Sequence, residues 1–158
     1  GVLAMTPKRH GIQQLLDTAS AQAAPEAEAK AITLTVEPTD LTARFDPKWT
    51  AEALYNLVDN AVKYTPAGGA VTLRAVGYEL FCRVDVTDTG PGIPESEQAR
   101  IFQRFYRSPS ASEAEGVGIG LYLARQIAAG QGGYLKVSSR PGEGSTFSLF
   151  LPRAEERT

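Results

Sequence analysis

With a single cysteine in 158 residues, the chain can form no internal disulfide, and a reducing compartment suits it. That cysteine, Cys82, lies in the alternating run Leu80, Cys82, Val84, Val86, which reads as a buried thiol in a strand rather than a reactive one. No apolar run approaches the roughly 18 residues of a membrane span, and no secretory leader pattern opens the chain. A basic excess is missing too. The 16 Lys and Arg against 18 Asp and Glu give a net charge of -2, which leaves no general field for nucleic-acid phosphates. Any phosphate chemistry must be local. Gly1 stands where an initiator Met is usual, as expected of a processed chain or an excised fragment.

What is present describes a globular chain of one ordinary domain's length: 42% of residues are hydrophobic and 22% charged, too apolar for a disordered segment. Residues 1–30 are rich in Ala and Gln, with Leu15 and Leu16 in a helix-compatible stretch that Pro25 interrupts, so one or two helices of a connector are expected. Alternation predicts strands over 31–37 and 41–45 with a tight turn at 38–40. Asp46 followed by Pro47 supplies a cap and first-turn proline for a helix that runs to Tyr64 and stops at Thr65 and Pro66. Period-two runs over 70–76 and 80–87 predict a hairpin around Gly77 and Tyr78, and 88–94 must be a loop. A short helix falls within 95–107. The small, polar stretch 108–118 reads as a mobile surface loop, followed by a helix over 119–129 and a final hairpin of 134–139 with 146–151. The mixture, with adjacent hairpins and no internal repeat, is α+β.

At 100° per residue, Glu52, Asn56, Asp59, Asn60 and Lys63 fall within one sector of about 100°, opposite Leu54, Leu57, Val58 and Ala61. An amphipathic surface helix explains that division. Two asparagines one turn apart do not suit such a surface, because they are poor helix formers, whereas carboxamide oxygens near a carboxylate suit Mg²⁺ held against substrate phosphates. The run DTGPG (88–92) frees the backbone for close approach to a ligand beside a carboxylate that accepts from an exocyclic amine, and a plain Gly-Pro turn explains it equally well. Gly116, Gly118 and Gly120 precede a helix, where unpaired N–H groups cradle phosphate, although the strand and distant acidic residue of a Rossmann motif and the lysine of a Walker motif are absent. GEGSTF (142–147) taken alone is a hairpin turn.

In order, NLVDNAVKY (56–64), DTGPGI (88–93), IFQRFYR (101–107), GVGIGL (116–121) and GSTF (144–147) resemble the N, G1, F, G2 and G3 boxes of sensor histidine kinases. The resemblance spans 31–152 and implies a Bergerat-type α/β sandwich, a mixed sheet on helices with ATP under a flexible lid. Carried over, it implies Asn60 as the main Mg²⁺ ligand with Asn56 beside it, Lys63 on phosphate, Tyr64 near the nucleotide, and Asp88 reading the adenine amino group. It further implies approach of the base past Gly90, Gly92 and Ile93, and Arg107 near the terminal phosphate. Gly116, Gly118, Gly120 and Leu121 become the backbone cradle, and Thr146 sits near adenine. Phe102 and Phe105 anchor the lid.

Three readings of function follow from that resemblance. The first is a catalytic domain that binds Mg·ATP and phosphorylates a histidine on a separate dimerisation domain that lies outside this chain. His10, the only histidine, is followed by Gly11 and Ile12 rather than the family's acceptor pattern, so the acceptor is expected elsewhere. The second is a non-catalytic nucleotide-binding module, disfavoured by intact Asn56, Asn60, Lys63 and Asp88. The third is a gyrase- or chaperone-type ATPase, disfavoured because Asn56 stands where those enzymes carry a water-activating glutamate; Glu52, one turn earlier, is not assigned that role. The resemblance implies a response regulator downstream, no nucleic acid and no membrane contact by this chain, a monomeric domain of a homodimeric parent, and a cytoplasmic domain of a membrane-attached protein. The expected division is a helical connector or remnant over 1–30, the catalytic domain over 31–153 and a polar tail over 154–158.

Overall fold

Residues 3–103 and 117–153 are described by a computed structural model. The best-defined element is α2 (Pro47–Tyr64), and its start is chemical: Asp46 accepts the Trp49 N–H at 3.0 Å while Pro47 occupies the first turn. Its end is held by Lys30, whose ammonium donates to the carbonyls of Val62 (3.0 Å) and Lys63 (2.6 Å), acceptors that the helix itself leaves unpaired. One face of α2 buries Ala53, Leu54, Leu57, Val58, Ala61 and Val62.

That face packs with α1 (Ile12–Ala29) and α4 (Val117–Gly130) on a five-stranded sheet of order β2 (Thr33–Val36), β4 (Ala70–Gly77), β5 (Phe81–Asp88), β7 (Ser145–Pro152), β6 (Tyr134–Ser139). The β2–β4 pair is parallel and the others antiparallel, which makes the sheet mixed. Alternation decides the faces: Val71 and Leu73, then Cys82, Val84 and Val86, then Phe147, Leu149 and Leu151 are buried toward the helices. The expected α+β sandwich and both expected hairpins are present. Cys82 is fully buried, and desolvation pushes its thiol up to about 11, so it is an inert core residue.

Three expectations change. Pro25 does not interrupt α1, because the helix turns that proline to solvent while Leu15, Leu16, Ala19, Ala23 and Ala27 are buried on the other side; burial of that stripe exceeds the about 3 kcal/mol that an interior proline costs. Residues 12–29, expected in a connector, therefore belong to the core that α2 and the sheet share. The strands flanking residues 38–40 do not pair with each other: β2 joins β4, while β3 (Thr42–Phe45) pairs with the unexpected β1 (Lys8–Gly11) in a separate two-stranded sheet. The short helix expected within 95–107 is α3 (Glu95–Gln98), and the helix expected from residue 119 begins at Val117. The remainder of the expected mobile loop, 108–116, and the tail 154–158 lie outside the described residues.

A buried polar cluster ties the chain's start to this frame. The Asp46 N–H donates to Gln131 Oε1 (2.8 Å), and Gln131 Nε2 donates to Thr50 Oγ1 (2.6 Å). The Thr6 N–H donates to Asp46 Oδ2 (2.7 Å), and the Trp49 indole donates to the Ala4 carbonyl (3.1 Å).

Candidate functional site

Along α2 the polar sector divides by burial: Glu52 is exposed, Asn56, Asp59 and Lys63 are partly buried, and Asn60 is only 4% exposed. Asn60 Oδ1 is the one buried side-chain nitrogen or oxygen among the described residues that has no hydrogen-bond partner. Leaving such an acceptor unmade costs about 1–3 kcal/mol, so the position implies a partner supplied from outside the chain. A hard cation fits it. Mg²⁺ takes oxygen ligands, keeps several waters and is held by few protein groups when phosphates supply the rest. Among the described residues no three His, Cys, Asp or Glu side chains gather as a metal cage, and a single amide oxygen suits the mode in which phosphates and waters supply the remaining ligands.

Lys63 lies one turn further along α2. Its ammonium pairs with Asp59 at 3.0 Å, and Asp59 in turn bonds Glu26 of α1, which is the main cause pushing the Glu26 carboxyl up. The pair is partly exposed, so releasing Lys63 toward a phosphate costs no more than about 1 kcal/mol. Tyr64 packs against the core at the end of α2, and its carbonyl lies beside Gly90, where a Cβ would come within 3.1 Å of it and of Asp88 Oδ1.

Asp88 closes β5 on the helix-facing side of the sheet and is 6% exposed. Burial pushes its carboxyl up, partly offset by N–H groups of Gly90, at 2.9 Å, and Ser145. The loop that follows is shaped by close backbone approach: Gly92 has φ +81°, and a Cβ there would overlap the Arg140 carbonyl. The glycine is thus required by the protein's own backbone. Ile93 donates its N–H to Ser139 Oγ (2.7 Å), and Gln98 Nε2 bonds the carbonyls of Ile93 (2.8 Å) and Ser139 (3.0 Å). Gly144, also at φ +81°, lies where a Cβ would overlap the Asp88 carbonyl.

Here one assignment is corrected. Thr146 pairs with Thr87, and their hydroxyls meet at 3.0 Å on the sheet face away from the helices. The residue opposite Asp88 is Ser145, and it is buried on the same face. A step of one residue in a strand reverses the face, so Ser145, not Thr146, stands beside the Asp88 carboxylate. The signal lay in the alternation of Ser145 with Phe147, Leu149 and Leu151, which is the inward set. Ser139, Gln98 and Lys30 carried no local sequence signal at all.

On the far side of the site, α4 opens with Val117, Gly118 and Ile119, so the Gly118 N–H is among those that find no acceptor inside the helix, and Gly120 follows in the first turn. Leu121 comes one residue later, its side chain buried in the core. Phe102 is buried against Phe147 in an edge contact, centroids 6.1 Å apart. Arg107, Gly116 and Phe105 lie outside the described residues. His10 is a strand residue of β1 with its ring 5.4 Å from that of Phe45. Among the described residues no helix is long and apolar enough to cross a membrane.

A family model described as histidine kinase-, DNA gyrase B- and HSP90-like ATPase matches residues 45–155. The adaptive-response sensory kinase SasA of Synechococcus sp. (strain JA-3-3Ab) is 42% identical over 131 residues, covering 81% of this chain and 35% of that protein. The chain thus spans about a third of the length of that curated relative. Among solved structures, full-length ShkA in complex with AMPPNP superposes with a TM-score of 0.85 at 28% identity, covering 100% of this chain and 33% of the other. The mycobacterial sensor histidine kinase MprB superposes at 0.82 with 27% identity, covering 95% of this chain and 100% of the other.

Proposed function

The chain belongs to the histidine kinase-, DNA gyrase B- and HSP90-like ATPase family, and from that premise we propose that it binds Mg·ATP and transfers the terminal phosphoryl group to a histidine on a separate dimerisation domain. The observation that carries the reading is the buried, partnerless Oδ1 of Asn60. In this reading Asn60 would hold Mg²⁺ with Asn56 one turn away, and the ion would supply positive charge to offset that of the phosphates. Lys63 leaves Asp59 for a phosphate, Gly118 offers its N–H group with Gly120 in the same turn, and Arg107 and Gly116 complete the phosphate contacts from outside the described residues. Asp88 accepts from the adenine amino group with Ser145 as its neighbour, and Tyr64 borders the base.

Phosphoryl transfer depends chiefly on positioning and charge stabilisation, and the accepting imidazole is itself the nucleophile, so no serine or cysteine triad is needed. Asn56 in place of a glutamate leaves an attacking water without a base, which favours transfer over hydrolysis. The parent protein would pair this domain with its own acceptor histidine and pass the phosphoryl group to a response regulator.

The test supplies a separately produced histidine-bearing dimerisation domain with labelled Mg·ATP and this chain. Acid-labile, base-stable label on the acceptor is the expected result. Metal-dependent ATP binding with no label on any acceptor would establish the non-catalytic module instead, and steady phosphate release by the chain alone would establish a hydrolase.

A further inference from the structure

One hydroxyl outside the assigned contacts is saturated with hydrogen bonds. Ser139, the last residue of β6, receives the Ile93 N–H at 2.7 Å, donates to the Gly144 carbonyl at 3.0 Å and meets Ser145 Oγ at 2.8 Å. A serine hydroxyl has one proton and two acceptor positions. The Gly144 carbonyl cannot donate, so it takes the Ser139 proton. The Ile93 N–H fills one acceptor position. The second must therefore receive the proton of Ser145. Gln98 fixes this arrangement from the side by donating to the carbonyls of both Ile93 and Ser139.

We propose that Ser139 is a specificity-determining residue: by taking the Ser145 proton it leaves Ser145 only lone pairs to offer beside the Asp88 carboxylate, so the site accepts a purine with an amino group at C6 and rejects one with an oxo group at C6. This rests on the reading of Asp88 and Ser145 as the base-recognising pair. The two residues are direct cross-strand neighbours on the inner face, and both are at most 6% exposed. An ionised Asp88 donates nothing. With Ser145 committed as well, the pair presents acceptors alone, which an exocyclic amine satisfies and a carbonyl oxygen does not. A water bridging the two oxygens leads to the same selection. Both of its protons would be spent on Asp88 and Ser145, and only a lone pair would face the base. Without Ser139, the Ser145 hydroxyl could rotate and donate, and the oxo group would be admitted.

The experiment measures dissociation constants of Mg·ATP and Mg·GTP for the whole chain and its variants. The parent chain should prefer ATP. Ser139→Ala should narrow the ATP-to-GTP ratio by about tenfold, mainly through tighter GTP binding, as expected for relief of one mispaired polar contact. Ser139→Thr keeps the hydroxyl and should retain the ratio. Gln98→Ala loosens the loop without freeing the Ser145 proton and should also retain it. In a Ser145→Ala background the Ser139→Ala change should have no further effect on the ratio. If Ser139→Ala does not fold, Ser139→Cys, a near-isostere with weak hydrogen bonding, carries the same expectation. An unchanged ratio in a folded Ser139→Ala or Ser139→Cys chain that still prefers ATP overturns the role of Ser139 alone. A parent chain with equal affinity for the two nucleotides overturns the base-recognition reading and this inference with it.

Discussion

The two ends of α2 each carry an aspartate nearby with little exposed surface, and folding shifts the two carboxyls in opposite directions. Asp46 at the N-terminal end is 8% exposed, and Asp88 near the C-terminal end is 6% exposed. Burial pushes both carboxyls up. At Asp46 the N–H groups of Thr6, Trp49 and Lys48 outweigh it and hold the carboxyl below its usual value, whereas at Asp88 the N–H groups of Gly90 and Ser145 do not. The surroundings follow suit. Asp46, Thr50 and Gln131 satisfy one another, while Asn60 keeps an oxygen with no partner. The N-terminal cluster is closed and serves folding. The C-terminal one is open and implies a ligand, because a polar group left unmade at a cost in stability is what a binding site retains.

The contrast breaks most sharply under the same substitution at both ends. Gln131→Leu orphans the Asp46 N–H and the Thr50 hydroxyl together, and should lower unfolding free energy by about 3 kcal/mol in denaturant titrations, with nucleotide affinity unchanged in the folded fraction. Asn60→Leu removes an acceptor that is already unmade. It should raise stability by about 1 kcal/mol while weakening Mg·ATP binding by about a hundredfold in calorimetric titration. A loss of stability in Asn60→Leu, or of ATP affinity in Gln131→Leu, would erase the distinction between a closed and an open cluster.

The open end of α2 was legible in the sequence because helix periodicity puts Asn56 and Asn60 on one face and the capping pair Asp46 and Pro47 fixes where that helix begins. The hairpins announced themselves through alternation. The closed end was not legible: Gln131 reaches Asp46 across 85 residues, a distance no local pattern spans. β1 was missed for the same reason. KRHG has no apolar alternation, and it is a strand only because β3 lies beside it. α1 was misjudged because its buried stripe beyond Leu16 is alanine alone, which gives a weak apolar signal, and because a proline on the solvent side reads as a breaker wherever the helix is not yet known to pack. The shift from Thr146 to Ser145 is a different kind of error. Motif matching ranks residues by type, whereas the pleat assigns them to faces, and threonine at the wrong parity cannot reach Asp88.

The smallest predicted effect separates the two aspartates by pH. A carboxyl whose pKa is depressed by folding adds stability that is present above its unfolded pKa and lost as pH falls through the folded one, so the Asp46 contribution should disappear only in strong acid. A carboxyl raised by folding behaves oppositely. Asp88 costs stability at neutral pH, and that cost is relieved as pH falls through its raised folded value toward the ordinary carboxylate range. In that same window Asp88 gains a proton and becomes a donor where adenine requires an acceptor. ATP affinity should therefore fall by about tenfold while the nucleotide-free chain holds or gains melting temperature. Asp88→Asn should reproduce the low-pH state at neutral pH: weaker ATP binding, undiminished stability, and an affinity that no longer responds to pH across the window. If the variant instead keeps the parental pH profile, the titrating group is another carboxylate and Asp88 does not read the base.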